Sequence, residues 1–173
     1  MKKKGKGGGN TITGLNFERG RDVLEILSKA RGYTVRGNTI YYKDREVGRS
    51  YRKNGLYKYL ESRKVDYRKI VSKKLLPDEA LYVIVNNTLF IIEVKYQQIG
   101  GSVDEKLQTC DFKKKQYLKL MAPLNIEVEY IYVLSDWFKK PEYKDTLNYI
   151  HSVGCHYYFN YLPLAKLGLP VPE

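Results

Sequence analysis

Two apolar runs separated by a short polar turn form the clearest pattern in the chain. The runs cover residues 80–85 and 89–92, and Asn86-Asn87-Thr88 lies between them. Asparagine tolerates the positive φ of a tight hairpin turn, so the pattern predicts two antiparallel strands joined at Asn86-Asn87. The second strand is expected to be buried on both sides, because both of its faces are apolar: Leu89 and Ile91 on one, Phe90, Ile92 and Val94 on the other.

The other apolar periodicities predict helices and strands in alternation. In chain order, the expected elements are a helix within 16–32 that ends at Gly32, a strand or hairpin within 33–42, the hairpin described above, a helix from 102 to Pro123, a strand at 128–134, a helix at 141–153 and a short strand at 156–159. This order predicts an α/β fold with a central mixed β-sheet flanked by helices.

Polar residues end the second strand of the hairpin. Glu93, Lys95 and Gln97 alternate along it and therefore share one face. The hairpin brings Asp78, near the start of the first strand, back toward Glu93. We expect these two carboxylates to hold one hydrated Mg²⁺ ion, and Lys95, about 6 to 7 Å along the same face, to position or activate a water molecule. Glu79 is the less favoured ligand, since it lies off the face of Asp78.

Two other acidic-x-Lys triplets occur in the chain, Asp111-Phe112-Lys113 and Glu142-Tyr143-Lys144. The first lies in a helical pattern and the second follows Pro141, so neither ends an apolar strand. Both are expected to be solvated surface charges, and the lysines at 113–115 are expected to be exposed. The context therefore selects Glu93-Val94-Lys95.

The order Pro77-Asp78, hairpin, Glu93-Val94-Lys95 resembles the PD-(D/E)XK nuclease superfamily, and type II restriction endonucleases in particular, over roughly residues 14–160. The resemblance implies a restriction-endonuclease-like core, with Asp78 and Glu93 as magnesium ligands, Lys95 as the catalytic lysine and Gln97 as an accessory polar residue. It also makes Glu18 a candidate auxiliary residue of the active site, although the helix dipole equally explains a carboxylate in the first turn of a helix.

Composition and charge fit this interpretation. The chain has 173 residues, of which 43% are hydrophobic, so we expect a single domain at 14–173 behind a flexible basic tail at 1–13. The formal charge of +12 favours a polyanionic partner. Nucleic acid is preferred over a membrane surface, because no apolar run approaches the ~20 residues of a membrane span. Two cysteines without a secretory signal predict a reducing compartment, the cytoplasm.

Residues 43–74 carry twelve Lys and Arg against four Asp and Glu. We interpret this segment as a helical DNA-binding insertion, with a merely solvated basic face as the alternative. Arg49, Arg52 and Lys53 are its best candidates for DNA contacts. Lys106, which follows the Ser102 and Glu105 capping box just beyond the polar strand end, is a further candidate for contact with a phosphate.

These observations predict a Mg²⁺-dependent endonuclease of double-stranded DNA, of the type II restriction class, in which Mn²⁺ can substitute. A homodimer is expected from the two-fold symmetry of palindromic sites. Two alternatives stay open. One is a structure-specific nuclease, because the opening helix with Glu18 and Gly32-Tyr33-Thr34-Val35 also resembles archaeal Holliday-junction resolvases. The other is a non-catalytic nucleic-acid-binding module in which the acidic pair is structural.

Overall fold

The computed structural model of the chain describes residues 12–17, 20–97 and 103–173. The strands within these ranges are β1 (Gly14–Asn16), β2 (Tyr33–Arg36), β3 (Thr39–Tyr42), β4 (Arg45–Ser50), β5 (Glu79–Val83), β6 (Thr88–Lys95), β7 (Glu127–Leu134), β8 (His156–Phe159) and β9 (Tyr161–Pro163). Strands β2 to β8 form one sheet in sequence order. Neighbours from β2 to β6 are antiparallel, whereas β6, β7 and β8 run parallel, so the sheet is mixed, as predicted.

Helices cover both faces of this sheet, which confirms the α/β class. They are α1 (Val23–Ser28), α2 (Asn54–Ser62), α3 (Val103–Leu107), α4 (Cys110–Met121) and α5 (Lys144–Ser152). One core contains α1, β1 and β9, and the other contains α2, α4 and α5. In the part of the chain that the structure describes, no helix is both long and apolar enough to cross a membrane.

The predicted hairpin consists of β5 and β6. Leu89 and Ile91 of β6 pack into the core that contains α2 and α4, whereas Phe90 and Ile92 pack into the core that contains α1. Burial on both faces is therefore confirmed. The turn differs from the prediction: the strands are joined by the four residues 84–87, and of the two asparagines only Asn87 has a positive φ, 49°. The prediction of a tight two-residue turn was therefore wrong.

Two helix boundaries also differ from the prediction. Helix α1 begins at Val23, because the Asp22 carboxylate accepts a hydrogen bond from the Glu25 N–H at 2.8 Å and caps the first turn. Glu18, and the Ser102 of the predicted capping box, lie outside the described residues. The long helix predicted to end at Pro123 is divided into α3 and α4, and the Thr109 hydroxyl donates to the Lys106 carbonyl at 2.7 Å at the break.

The basic segment at 43–74 is not a helical insertion outside the core. Its first part is β4, which pairs with β3 and β5 inside the central sheet. Its second part is α2, whose residues Leu56, Tyr57 and Leu60 are buried. The charges lie on the outer side of elements that the core needs, because the apolar positions between the lysines and arginines face inward.

A second, two-stranded sheet joins the beginning and end of the described chain. Strands β1 and β9 pair antiparallel, with Leu15 opposite Leu162, and both of these leucines are buried. A Cβ on Gly14 would lie 2.2 Å from the Tyr161 ring, so a larger residue here would have to displace that exposed side chain. Neither strand was predicted, since three residues are too few for a pattern of alternation.

Candidate active site

The end of β6 carries a carboxylate and an ammonium group that meet a second carboxylate from β5. Glu79 lies opposite Ile92 in the antiparallel register, so the next residues, Asp78 and Glu93, face each other. The Lys95 Nζ lies 2.9 Å from Glu93 Oε2 and 3.8 Å from Asp78 Oδ2. The structure therefore brings Asp78, Glu93 and Lys95 together around a single nitrogen atom.

The Glu93 carboxylate is surrounded by hydrogen-bond donors. The Lys113 Nζ, from α4, lies 2.8 Å from Glu93 Oε1 and 3.1 Å from Oε2. The Tyr130 hydroxyl, from β7, donates to Oε1 at 2.5 Å. The Lys95 Nζ adds an ion pair with Oε2 at 2.9 Å, and the Glu93 side chain is only 7% exposed. A buried carboxylate of this kind is stabilised because it is both hydrogen-bonded and paired with cations.

The charge state of the site follows from these contacts. Burial would raise the pKa of Glu93, but the ammonium groups of Lys95 and Lys113 and the hydrogen bond from Tyr130 lower it below its ordinary value. Burial, together with the negative charge of Glu93, raises the pKa of Tyr130 well above its usual range. Glu93 is therefore an anion at neutral pH, and Tyr130 is a neutral hydrogen-bond donor to it.

Lys113 was assigned to the exposed surface by the sequence, and this prediction was wrong. Its side chain is 26% exposed and reaches Glu93. The helical spacing in the sequence did indicate this placement. Lys113 lies three residues after Cys110 and four before Tyr117, and both of these are buried on one face of α4. Lys114 is also largely buried, with its Nζ donating to the Gly154 carbonyl at 2.7 Å. Of the three lysines, only Lys115 is exposed as predicted, at 65%.

Glu79 occupies the opposite face of the sheet. Its carboxylate accepts a hydrogen bond from the Ser50 hydroxyl, and from the Val23 N–H at the start of α1 at 3.5 Å. The Arg52 Nε lies 4.0 Å away. Burial raises the pKa of Glu79, and the hydrogen bond from Ser50 and the charge of Arg52 do not offset it. Glu79 thus connects α1 to the sheet and lies apart from the group formed by Asp78, Glu93 and Lys95.

The three residues of the basic segment at 43–74 that were predicted to contact DNA lie in two separate places. The Arg52 Nε donates to the Asp78 carbonyl at 3.3 Å, and the Lys53 N–H donates to the Pro77 carbonyl at 3.1 Å. Both line a cleft of about 230 Å³ beside Asp78. Arg49 lies elsewhere: it pairs with Tyr82 in the sheet, about 13 Å along β5 from Asp78 at the usual rise per residue. Its guanidinium contacts Glu46 at 2.6 Å.

The remaining predicted residues lie around the same sheet edge. Gln97 follows β6, and its N–H donates to Ser135 Oγ at 3.2 Å. The Lys106 side chain is exposed, and its carbonyl accepts a hydrogen bond from Tyr132 at 3.1 Å.

The turn after β7 adds cationic groups that were not predicted. Strands β6, β7 and β8 are parallel and in register, so Lys95, Leu134 and Phe159 end at one edge. Beyond that edge, Lys140 lies over the Trp137 ring with 3.1 Å from Nζ to the ring centre, and Lys139 lies over the Phe159 ring at 5.1 Å. Trp137 is half-buried, and its Nε1–H donates to the Tyr143 hydroxyl at 2.8 Å. Lys139 also pairs with Asp136 at 2.7 Å, and Arg52 pairs with Asp22 at 2.8 Å, so this edge of the sheet carries carboxylates as well as cations.

The donor set suits a hard cation. Asp78 and Glu93 supply carboxylate oxygens that already converge on one ammonium group, and Mg²⁺ commonly takes only one or two carboxylates from a protein. The described residues contain no group of three or more His, Cys, Asp or Glu side chains placed to hold a metal ion. Asp78 is 54% exposed and accessible, whereas Glu93 is nearly buried and already contacts Lys95, Lys113 and Tyr130.

Compared with protein-family models, curated proteins and solved structures, the chain matches none of them. What can be said of its activity therefore rests on the residues of this site and their geometry.

Proposed function

We propose that the chain is a Mg²⁺-dependent endonuclease that hydrolyses phosphodiester bonds of double-stranded DNA. The observation that carries the proposal is the position of the Lys95 Nζ, within 4 Å of both Asp78 and Glu93 at the end of a strand that is otherwise apolar. Desolvation of charged groups is costly, and their placement at this strand end supports a functional site. The net charge of +12 is complementary to a polyanionic substrate.

The residues of the site have separate roles in this proposal. Asp78 and Glu93 would hold a divalent cation, whose chemistry is to stabilise charge on the phosphate and to lower the pKa of a bound water molecule. The Lys95 ammonium would orient the attacking water and offset the charge that develops on the phosphate. The Tyr130 hydroxyl fixes the orientation of Glu93. Arg52 and Lys53 would contact the DNA backbone beside Asp78.

The finer proposal is a type II restriction endonuclease that acts as a homodimer, with Mn²⁺ as a substitute for Mg²⁺. The resemblance of Pro77-Asp78 and Glu93-Val94-Lys95 to that class supports it. Gln97 remains a proposed accessory residue on the same strand, and Lys106 a proposed phosphate contact.

One observation favours a non-catalytic DNA-binding module instead. Glu93 already has hydrogen bonds from Lys113 and Tyr130 and an ion pair with Lys95, which is also what a purely structural ion cluster would show. In that case DNA binding would survive chelation of metal ions, and no phosphodiester bond would break.

A cleavage assay separates these functions. Supercoiled plasmid, linear duplex and four-way junction DNA are incubated with the protein in Mg²⁺ or in EDTA. The Glu93→Gln variant keeps the size of the side chain but removes its charge. Glu142→Gln is the matched control, because Glu142 is exposed and belongs to an acidic-x-Lys triplet outside the site.

We expect wild type and Glu142→Gln to cut duplex DNA into discrete fragments in Mg²⁺ only. Glu93→Gln should be slower by roughly 100-fold or more, since removal of one group that stabilises transition-state charge commonly costs that much. Cleavage restricted to junctions would assign a structure-specific nuclease. If wild type and Glu93→Gln leave every substrate equally intact, the nuclease proposal fails.

A further inference from the structure

The geometry around Glu93 points to a role for Lys113: we propose that it is a positioning residue that holds the Glu93 carboxylate in the metal-free protein and competes with a divalent cation for it. This inference rests on the proposed function, because it concerns the cation that Asp78 and Glu93 would bind. It assigns a role to a helix residue that belongs to neither the hairpin nor the Glu93-Val94-Lys95 triplet.

The contacts of Lys113 are those of a bridging cation. Its Nζ lies 2.8 Å and 3.1 Å from the two oxygens of Glu93, so the ammonium group bridges the carboxylate. The Tyr130 hydroxyl donates to Oε1, and the Lys95 Nζ forms an ion pair with Oε2 at 2.9 Å. Two ammonium groups therefore lie against the carboxylate. A doubly charged cation at Glu93 would repel both of them, so its binding favours the departure of one.

Lys113 is the donor whose departure costs least. The Tyr130 hydroxyl is neutral and comes from a fully buried side chain on β7, so it neither repels a cation nor has space to move. Lys95 is held at the site by a second carboxylate, because its Nζ also lies 3.8 Å from Asp78 Oδ2. Lys113 approaches from α4 on a flexible four-carbon stem that is partly exposed, so its ammonium group can rotate into water. Repulsion by a doubly charged ion favours that rotation.

The competition has a structural benefit and a cost. Without Lys113, a metal-free Glu93 would keep its negative charge in a nearly buried position with one cationic partner fewer, which is unfavourable. With Lys113, the carboxylate is already ionised and oriented when a cation arrives. The cost is a weaker apparent affinity for the cation, because the ammonium group must first be displaced.

Direct measurement of Mn²⁺ binding without DNA tests the proposal. Free Mn²⁺ is followed by its electron paramagnetic resonance signal during titration of wild type, Lys113→Met, Lys113→Arg and Lys115→Met. Methionine keeps the apolar stem and removes the charge. Lys115 is the matched control on the same helix, because it is exposed and pairs with Asp111 rather than with Glu93. Circular dichroism and a urea titration verify the fold of each variant.

We expect Lys113→Met to bind Mn²⁺ about ten-fold more tightly than wild type, or tighter still. Even at the dielectric constant of water, repulsion between charges of +1 and +2 about 5 Å apart corresponds to roughly that factor. Lys113→Arg should stay near the wild-type affinity, because it restores the competing charge, and Lys115→Met should be unchanged within about two-fold, since exposed charges are well screened.

A second measurement uses wild type alone and does not depend on the folding of any variant. Lysines are labelled with a limited amount of an amine-acylating ester, and the sites are quantified by mass spectrometry. Saturating Mg²⁺ should increase the labelling of Lys113 several-fold over its metal-free level, because its ammonium group is released from Glu93. Lys115 should be labelled equally with and without Mg²⁺.

The outcomes distinguish this inference from the proposed function. If wild type binds Mn²⁺ and Lys113→Met binds it equally or more weakly, Lys113 does not compete and the inference is overturned, while the metal-dependent nuclease stands. Unchanged labelling of Lys113 in saturating Mg²⁺ would overturn it in the same way. If neither wild type nor Lys113→Met binds Mn²⁺, both the inference and the metal-dependent function fail.

Discussion

The hydrogen bond from Tyr130 to Glu93 allows a quantitative test of the charge state of the site. Tyr130→Phe removes one hydroxyl group and keeps the ring, which packs edge-on against Tyr132 with 5.3 Å between ring centres. No large cavity forms, so the change in the free energy of unfolding reports mainly on the hydrogen bond. In Tyr130→Phe, the nearly buried Glu93 carboxylate loses one hydrogen-bond donor, and no water molecule takes its place.

The size of the effect follows from the charge of the acceptor. Hydrogen bonds to charged groups contribute about 1.5 to 3 kcal/mol to stability, and bonds between neutral groups about 0.5 to 1.5 kcal/mol. The 2.5 Å separation between the Tyr130 hydroxyl and Glu93 Oε1 is typical of a charge-assisted bond. We therefore expect Tyr130→Phe to cost about 2 kcal/mol at pH 7, or a fall in melting temperature of about 4 to 8 °C for a domain of this size.

A neighbouring tyrosine provides the control. Tyr132 lies on the same strand and is also buried, but its hydroxyl donates to the neutral carbonyl of Lys106 at 3.1 Å. Tyr132→Phe should therefore cost about 1 kcal/mol or less. Urea unfolding of wild type and both variants, followed by far-ultraviolet circular dichroism at several pH values, gives the comparison.

The pH dependence gives a second check. Glu93 has a folded-state pKa below its ordinary value of 4.5, so it binds its proton less tightly in the folded than in the unfolded protein. Its contribution to stability is therefore present above pH 4.5 and is lost as the pH falls through the folded-state pKa. The cost of Tyr130→Phe should decrease over the same range. Two results would refute the hydrogen bond from a neutral Tyr130 to an ionised Glu93. One is a loss of stability in Tyr130→Phe at pH 7 that equals the loss in Tyr132→Phe, and the other is a loss that does not change as the pH falls below 4.5.

Two further predictions concern the opposite face and the DNA contacts. Glu79 has a raised pKa and therefore binds its proton more tightly in the folded protein, so its ionisation lowers stability as the pH rises above 4.5. The stability of Glu79→Gln relative to wild type, measured by urea titration, should therefore increase between pH 4.5 and 7. A difference that stays constant with pH would contradict this. Lys53→Ala should weaken the binding of duplex DNA in EDTA and reduce the slope of log affinity against log salt concentration by about one. Arg49→Ala, which removes a residue far from Asp78, should leave that slope unchanged. Fluorescence anisotropy at several salt concentrations measures both slopes, and equal effects of the two substitutions would show that the DNA does not bind beside Asp78.

The sequence predicted the parts of the site that depend on local register. Asp78, Glu93 and Lys95 belong to one hairpin, and strand alternation alone determines which of their side chains share a face. The four-residue turn did not matter for this result, because the register of β5 and β6 still places Asp78 opposite Glu93. The strand at 156–159 was also predicted correctly.

The sequence did not predict the partners that come from other elements. Lys113 and Tyr130 lie 20 and 37 residues from Glu93, and only tertiary packing brings them there. A lysine in a run of three is expected to be solvated. The run of charges at 43–74 was misinterpreted for a related reason: its charge density concealed the apolar positions that place β4 in the sheet and α2 in the core.

The pairing of β1 with β9 has a consequence for the order in which the protein folds. Gly14 pairs with Pro163, and the buried leucines at 162, 164, 167 and 169 complete the core that also contains α1. During synthesis, this core cannot close until those residues have left the ribosome. The α1 side of the sheet should therefore remain open while the strands from β2 to β8 assemble, and the closing contact spans nearly the whole chain. Such long-range contacts slow folding, so the docking of β9 is expected to be a late step.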